Sequence, residues 1–200
     1  MGKKMGVVLR MSFKDYEETW GNLIHAFYQE GMSDEELFQD LAMTQEGEVR
    51  FSLELATILS LIAVMSFASK PKLCSTEKHV DILLDRIVED VYQRILPDAD
   101  AETLKGCKAY FDGKRTIFSQ ICKNIYSTNP TKRQPELVGF ARYLVAQVSS
   151  KEEASNVVAL QRLGILLSSA SDAYMTLLGN TTQDTIQIDG KPSFSVKKDR

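Results

Sequence analysis

Phe51-Ser-Leu-Glu-Leu-Ala-Thr-Ile-Leu-Ser-Leu-Ile-Ala-Val-Met-Ser-Phe-Ala-Ser69 is the most apolar run of this 200-residue chain. Leu53, Leu55, Ile58, Leu59, Leu61, Ile62, Val64, Met65 and Phe67 leave no polar face wider than the hydroxyls of Ser52, Thr57, Ser60 and Ser66. A helix that is apolar nearly all round has neighbours on every side. Residues 51–69 are therefore expected to be the central helix of a bundle. A membrane span is the rival, since a bilayer needs roughly 20 residues. Against it stand Glu54 and five scattered Ser/Thr, and a carboxylate near a bilayer core costs on the order of 3 kcal/mol. Contact with a membrane is not expected. A pair of buried strands is disfavoured by the length of the run and by the lack of an internal turn signal.

Outward from this stretch, helical periodicity recurs. Ser12, with Asp15 three residues on, is expected to cap a helix reaching about Glu30, with Gly31 at its end. Its inward face is Phe13, Tyr16, Trp20, Leu23, Ile24 and Phe27, and Gly21 suits a close crossing. Ser33-Asp34-Glu35-Glu36 reads as a capping box, opening a short helix that Gly47 separates from the central one. Lys70-Pro71-Lys72 ends the central helix. Ser75 or Thr76 caps the next, whose stripe is Val80, Leu83, Leu84, Ile87, Val88, Val91 and Ile95. Pro97 stops it. Asp98 or Asp100 caps a helix through Leu104, Cys107, Phe111, Phe118, Ile121 and Ile125, with a break expected near Asp112-Gly113. Pro135 fits the first turn of another. Ser150-Lys151-Glu152-Glu153 opens the last helix, which Gly179 stops.

After Gly179 the period changes. Thr185–Ile188 and Ser193–Val196 alternate around Asp189-Gly190, a hairpin signal. A lone hairpin is marginal in water, so it must dock on the bundle, pair with another chain or stay unfolded. The expected organisation is a short tail or lead-in strand over 1–11, a helical domain over 12–179 and a tail or hairpin over 180–200. The fold class is all-α: about seven or eight helices around the central one, with a small C-terminal β-hairpin.

Charge and cysteine usage set the function classes. The net charge is −3, so the whole molecule is not built for polyanions. Residues 12–102 hold nineteen acids and seven bases, whereas 105–133 hold seven bases and one acid, Asp112. Cys74, Cys107 and Cys122 are odd in number and widely spaced, which fits reduced thiols in a cytoplasmic protein. The apolar run Met5–Leu9 is too short for a signal peptide.

No phosphate loop, dinucleotide fingerprint, H-E-x-x-H or G-x-S-x-G occurs. Two histidines, His25 and His79, exclude a multi-histidine metal site within one chain, and His25 reads as a core or boundary residue. No catalytic residue, metal ligand or cofactor is assigned. Asp81, Asp85 and Glu89 share one side of a helix, and Glu54 is the one carboxylate that could join them around Mg²⁺. The plainer account is a solvated acidic face, with Glu54 satisfied by the helix dipole, Arg50 or water. The basic segment is the main surface feature. Lys108, Arg115 and Lys123 form a stripe on one helix, widened by Lys105, Lys114, Lys132 and Arg133, with Tyr110 and Tyr126 beside it. Cations on one face can neutralise phosphates.

The leading expectation is a non-enzymatic cytosolic interaction or regulatory protein. It would work through contacts with a protein partner or with itself, by helix faces, charge asymmetry or β-pairing. The first alternative is a nucleic-acid-associated accessory subunit binding through Lys105, Lys108, Arg115, Lys123, Lys132 and Arg133. The second is a metal-dependent hydrolase built on Glu54, Asp81 and Asp85.

Overall fold

The computed structural model describes residues 7–68, 73, 77–127, 133–149, 156–188 and 190–198, without the side chains of 7, 68, 77–78, 119–120, 122–127, 133–135, 185–186 and 198. Seven helices and three strands follow in the order β1 Val7–Met11, α1 Phe13–Met32, α2 Glu35–Leu41, α3 Gln45–Ala68, α4 Glu77–Ile95, α5 Ala101–Ser127, α6 Arg133–Val148, α7 Val157–Asn180, β2 Thr181–Ile188 and β3 Lys191–Lys198.

The apolar run is the heart of α3. Phe51, Leu55, Ile58, Leu59, Leu61 and Ile62 are fully buried, and α1, α4, α5, α6 and α7 all touch this helix. Burial of each such side chain stabilises by about 1.5–3 kcal/mol relative to exposure. By length and composition Gln45–Phe67 could cross a membrane, but 78% of its most apolar window is buried inside the fold. Helices of the same chain take the place that lipid would have.

Local sequence explains several helix starts. Ser12 Oγ accepts from the Asp15 amide at 3.1 Å while the Ser12 amide donates to the Asp15 carboxylate at 3.0 Å, a reciprocal cap. Ser12 Oγ also donates to the Asp15 carboxylate at 2.8 Å, and this bond together with that from the Ser12 amide holds the Asp15 carboxyl below its ordinary range, because both favour the charged form. Asp100 caps α5 through the Thr103 amide at 2.8 Å.

Several expected boundaries differ. Gly31 is inside α1, which runs to Met32. It is glycine because an added Cβ would lie 2.7 Å from Leu55 and 2.9 Å from Leu166, and no left-handed turn is involved. The cap of α2 is Asp34, which accepts from the Leu37 amide, while Ser33 closes α1. Ala42 turns the chain in the left-handed region at φ 48°. Gly47 lies within the first turn of α3 and does not separate it from α2; its amide donates to Thr44 Oγ1 at 3.2 Å. α5 is continuous through Asp112-Gly113, because Gly106 and Gly113 sit on its open side with nothing near them. The stops assigned to Lys70-Pro71-Lys72, the caps at Ser75 or Thr76 and the capping box at Ser150 lie outside the described residues.

The C-terminal strands form the expected hairpin, turned by Gly190 at φ 71°. β2 begins directly after α7, four residues before the expected strand start. A third strand comes from the other end of the chain. β1 pairs antiparallel with β3, giving the order β1-β3-β2, with Val7 opposite Lys198 and Met11 opposite Phe194. The sheet docks through fully buried Phe194, which stacks on Tyr16 at 4.2 Å and approaches Phe13 at 6.3 Å. A hairpin marginal by itself is thus held by a third strand and a buried aromatic.

Candidate functional site: a tyrosine-bound polar seam on the central helix

Three polar side chains of α3, Ser52, Glu54 and Thr57, are met by tyrosines from four different helices. Tyr28 of α1 and Ser52 share a hydrogen bond of 2.7 Å. Tyr92 of α4 lies 2.7 Å from Thr57 Oγ1. Because Thr57 gives its own hydroxyl proton to the Leu53 carbonyl at 2.7 Å, Tyr92 is the donor. Glu54 receives the hydroxyls of Tyr110 of α5 and Tyr143 of α6, the latter at 2.9 Å.

Glu54 is the centre of this seam. Its side chain is buried, the residue being 3% exposed. Lys114 Nζ lies 3.3 Å from Oε1 and also donates to the Tyr143 hydroxyl. The ammonium sits 4.9 Å from the centre of the Tyr110 ring and 4.8 Å from that of Tyr143. All three donors converge on Oε1. Tyr110 and Lys114 are four residues apart, so α5 presents both on one face, and α6 supplies Tyr143 from the other side.

The electrostatics follow from burial and contact. Burial pushes the Tyr110 phenol up to about 12, and its bond to the Glu54 carboxylate adds to this. Tyr143 is raised for the same two reasons. Burial pulls Lys114 down, but its bonds to Tyr143 and Tyr110 and the Glu54 charge outweigh that, so it stays protonated well above its ordinary value. A general base works best with a pKa near the operating pH. Neither phenol approaches that, and Lys114 is held as an ammonium and not as a nucleophilic amine. The cluster offers fixed hydrogen-bond donors and a buried ion pair.

The acidic row does not join Glu54. Asp85 pairs with Lys108 at 3.0 Å, and Asp81 and Glu89 are exposed. Among the described residues no cluster of three metal-binding side chains occurs. Arg50, expected near Glu54, reaches the Gln147 carbonyl at 3.4 Å. His25 is half-buried, stacked on Tyr28 at 5.8 Å, with Gln29 3.3 Å from Nε2.

The basic segment is less of a stripe than its spacing suggests. Lys105 is exposed, Lys108 is paired with Asp85, and Arg115 is half-buried. Lys114, expected to widen the stripe, turns inward to Glu54, and Tyr110 goes with it. The side chains of Lys123, Tyr126 and Arg133, and all of Lys132, lie outside what is described. Burial raises the Cys107 thiol, which suits a small packing residue.

The fold and seam define a class in structural terms: among the described residues, a bundle of seven helices, one of them buried at its centre, carrying a three-stranded sheet that joins residues 7–11 to residues 181–198. Comparison with protein-family models, with curated proteins and with solved structures finds no match to this chain.

Proposed function

We propose that the chain is a non-enzymatic, cytoplasmic interaction protein of regulatory type, which takes an extended segment of a protein partner onto the free edge of β1. The observation that carries this reading is the difference between the two edges of the sheet. β2, at one edge, has a register irregularity between Gln183 and Gln187 and carries the polar run Thr181-Thr182-Gln183-Asp184. Bulges and inward or edge charges are how sheets block further pairing. β1, at the other edge, reads Val-Val-Leu-Arg-Met, pairs in unbroken register with β3, and has no strand on its outer side among the described residues. Val8 is 55% exposed.

Beside that edge, a groove of about 590 Å³ runs between the sheet and α7, lined by Leu9, Met11, Ala173, Leu177 and Val196 among others. An added strand gains main-chain hydrogen bonds from the edge and specificity from pockets under alternate side chains. Leu9 and Met11 fall on the groove side, Val8 and Arg10 on the outer side. The seam around Glu54 supports the non-enzymatic half of the reading, since its three donors are all used on Glu54 Oε1, with Oε2 buried and given no hydrogen-bond partner among the described residues. Binding of nucleic acid through residues 105–133 has weaker support, because Lys108 and Lys114 are engaged with Asp85 and Glu54.

The test is selection of peptides from a displayed random library on the purified protein. Enriched peptides are expected to alternate apolar residues, to slow amide exchange of residues 7–11, and to lose binding to the L9K variant, provided L9K melts as a folded protein. No enriched peptide, or peptides whose binding ignores L9K, would overturn the reading.

A further inference from the structure

We infer that the strand taken up by the β1 edge is β1 of a second copy, running antiparallel to the first about Leu9 and joining two sheets into one of order β2-β3-β1-β1-β3-β2. The inference rests on the strand-addition reading above and narrows its occupant to this chain itself.

Three features single out this occupant. The first is closure. Each copy has one open edge and one irregular, polar edge. Two copies that pair through their open edges leave none, so a symmetric pair closes and does not grow into a fibre.

The second is register. Opposed residues on neighbouring strands must share a face, because side chains alternate with period two. Leu9 and Met11 face the groove while Val8 and Arg10 face outward. A pairing slipped by one residue would turn one sheet over relative to the other. Of the registers that keep the faces, the one centred on Arg10 sets two guanidinium groups against each other. The one centred on Val8 pairs only Val7, Val8 and Leu9 with one another and sets Arg10 and Met11 opposite residues outside the described strand. Centring on Leu9 pairs all five residues, puts Leu9 against Leu9 beside the two grooves, and sets Val8 of each copy across from Arg10 of the other.

The third is charge. Arg10 is held in its own chain by Asp184 at 3.1 Å, and Asp184 also accepts from Ser195 Oγ at 2.7 Å, so a clip spans β1, β3 and β2 on the outer face. The one cation on the edge strand is therefore neutralised before a second copy arrives. The other cation of that face, Lys197, stands opposite Val8 on the inner strand β3, one strand back from the edge.

A five-residue strand pair is an interface at the small end, below about 1,200 Å², so the association is expected to be weak and concentration-dependent. Equilibrium sedimentation of the full chain with V8K and V8E decides it. Position 8 is exposed, so neither substitution disturbs the core. Wild type is expected to dimerise. V8K sets a cation across from Arg10 of the other copy and should raise the dissociation constant at least ten-fold, whereas V8E sets an anion there and should leave it unchanged or lower it. A wild-type protein that stays monomeric at a few hundred micromolar overturns the inference, as do V8K and V8E that shift the equilibrium equally. A monomer that still captures displayed peptides leaves the strand-addition reading standing without a second copy. A monomer that captures none removes both.

Discussion

Glu54 and Lys114 are two opposite charges held at a junction of α3, α5 and α6, and the value of such a pair depends on which partner is removed. K114M leaves a carboxylate in the core, with only phenol hydroxyls to serve it. E54L leaves an ammonium whose side chain is still 17% exposed and can turn toward water. Breaking a buried pair costs about 3–5 kcal/mol, and replacing both members by apolar groups is often near neutral. We expect K114M to lose about 3 kcal/mol and E54L about 1–2 kcal/mol in urea unfolding. The double variant should lose less than the sum by at least about 1 kcal/mol, the coupling typical of residues in contact. Additive losses would show that the pair is not coupled. The sequence offered half of this site: a carboxylate inside an apolar run demanded a partner. The Tyr110-x-x-x-Lys114 spacing was the available signal for one, but the charge of Lys114 grouped it with the basic stripe. Tyr143, on another helix, carries no mark that links it to Glu54.

At the scale of elements, α3 is close to featureless in shape, and apolar surfaces alone specify the sliding of one helix on another only weakly. The hydroxyls of Tyr28, Tyr92, Tyr110 and Tyr143 each fix one neighbouring helix at one height on it. Buried polar groups as register devices are best attested in coiled coils, and here the same logic is distributed over four tyrosines. Close approach is the second device. Gly31 admits Leu55 and Leu166 to the backbone of α1. G31A should destabilise by about 1–2 kcal/mol, since overpacking costs about 1–3 kcal/mol while alanine returns up to about 1 kcal/mol of helix propensity. A melting temperature unchanged or raised would show that the two leucines move aside at no cost. Helices and their inward faces were legible because periodicity reports burial directly. Ends were less so. Gly31, Gly47 and Gly179 read as stops or separators although all three lie in helices, α7 running on to Asn180, because glycine marks close packing and open surface as well as termini. Glycine at 106 and 113 did not break α5, whose inward residues Phe111 and Phe118 hold it in place from the core side.

For the molecule as a whole, the seam predicts a defined alkaline weakness. Lys114 binds its proton more tightly folded than unfolded. Its contribution is complete below the unfolded value of 10.5 and is lost as pH rises through the higher folded value. Tyr110 acts in the same direction: between 10 and about 12 the unfolded chain gives up a phenol proton that the folded chain keeps, so unfolding gains ground. The melting temperature should therefore fall from pH 10 upward, less steeply in Y110F. In an ultraviolet titration of the seven tyrosines, the absorbance lost in Y110F should come from the late phase near pH 12. Loss from the early phase near pH 10 would place Tyr110 in water. The all-helical class and the buried centre were legible from the apolar run and its flanking periodicities. The three-stranded sheet was legible only by halves. Its hairpin had a turn signal, but β1 is five residues long and its partner is at the other end of the chain, so no local pattern could pair them.

That pairing has a consequence during synthesis. Arg10 and Asp184 are 174 residues apart, and β3, the strand that β1 needs, comes later still than Asp184. At roughly 5–20 residues per second a ribosome takes about 10–35 s to cover that distance. Through that interval the apolar strand has left the exit tunnel with neither side paired, while the helices that will carry it are still being made. The nascent chain therefore presents Val-Val-Leu-Arg-Met to its surroundings for tens of seconds, and holding that strand apart from those of neighbouring nascent chains falls to chaperones or to spacing along the messenger.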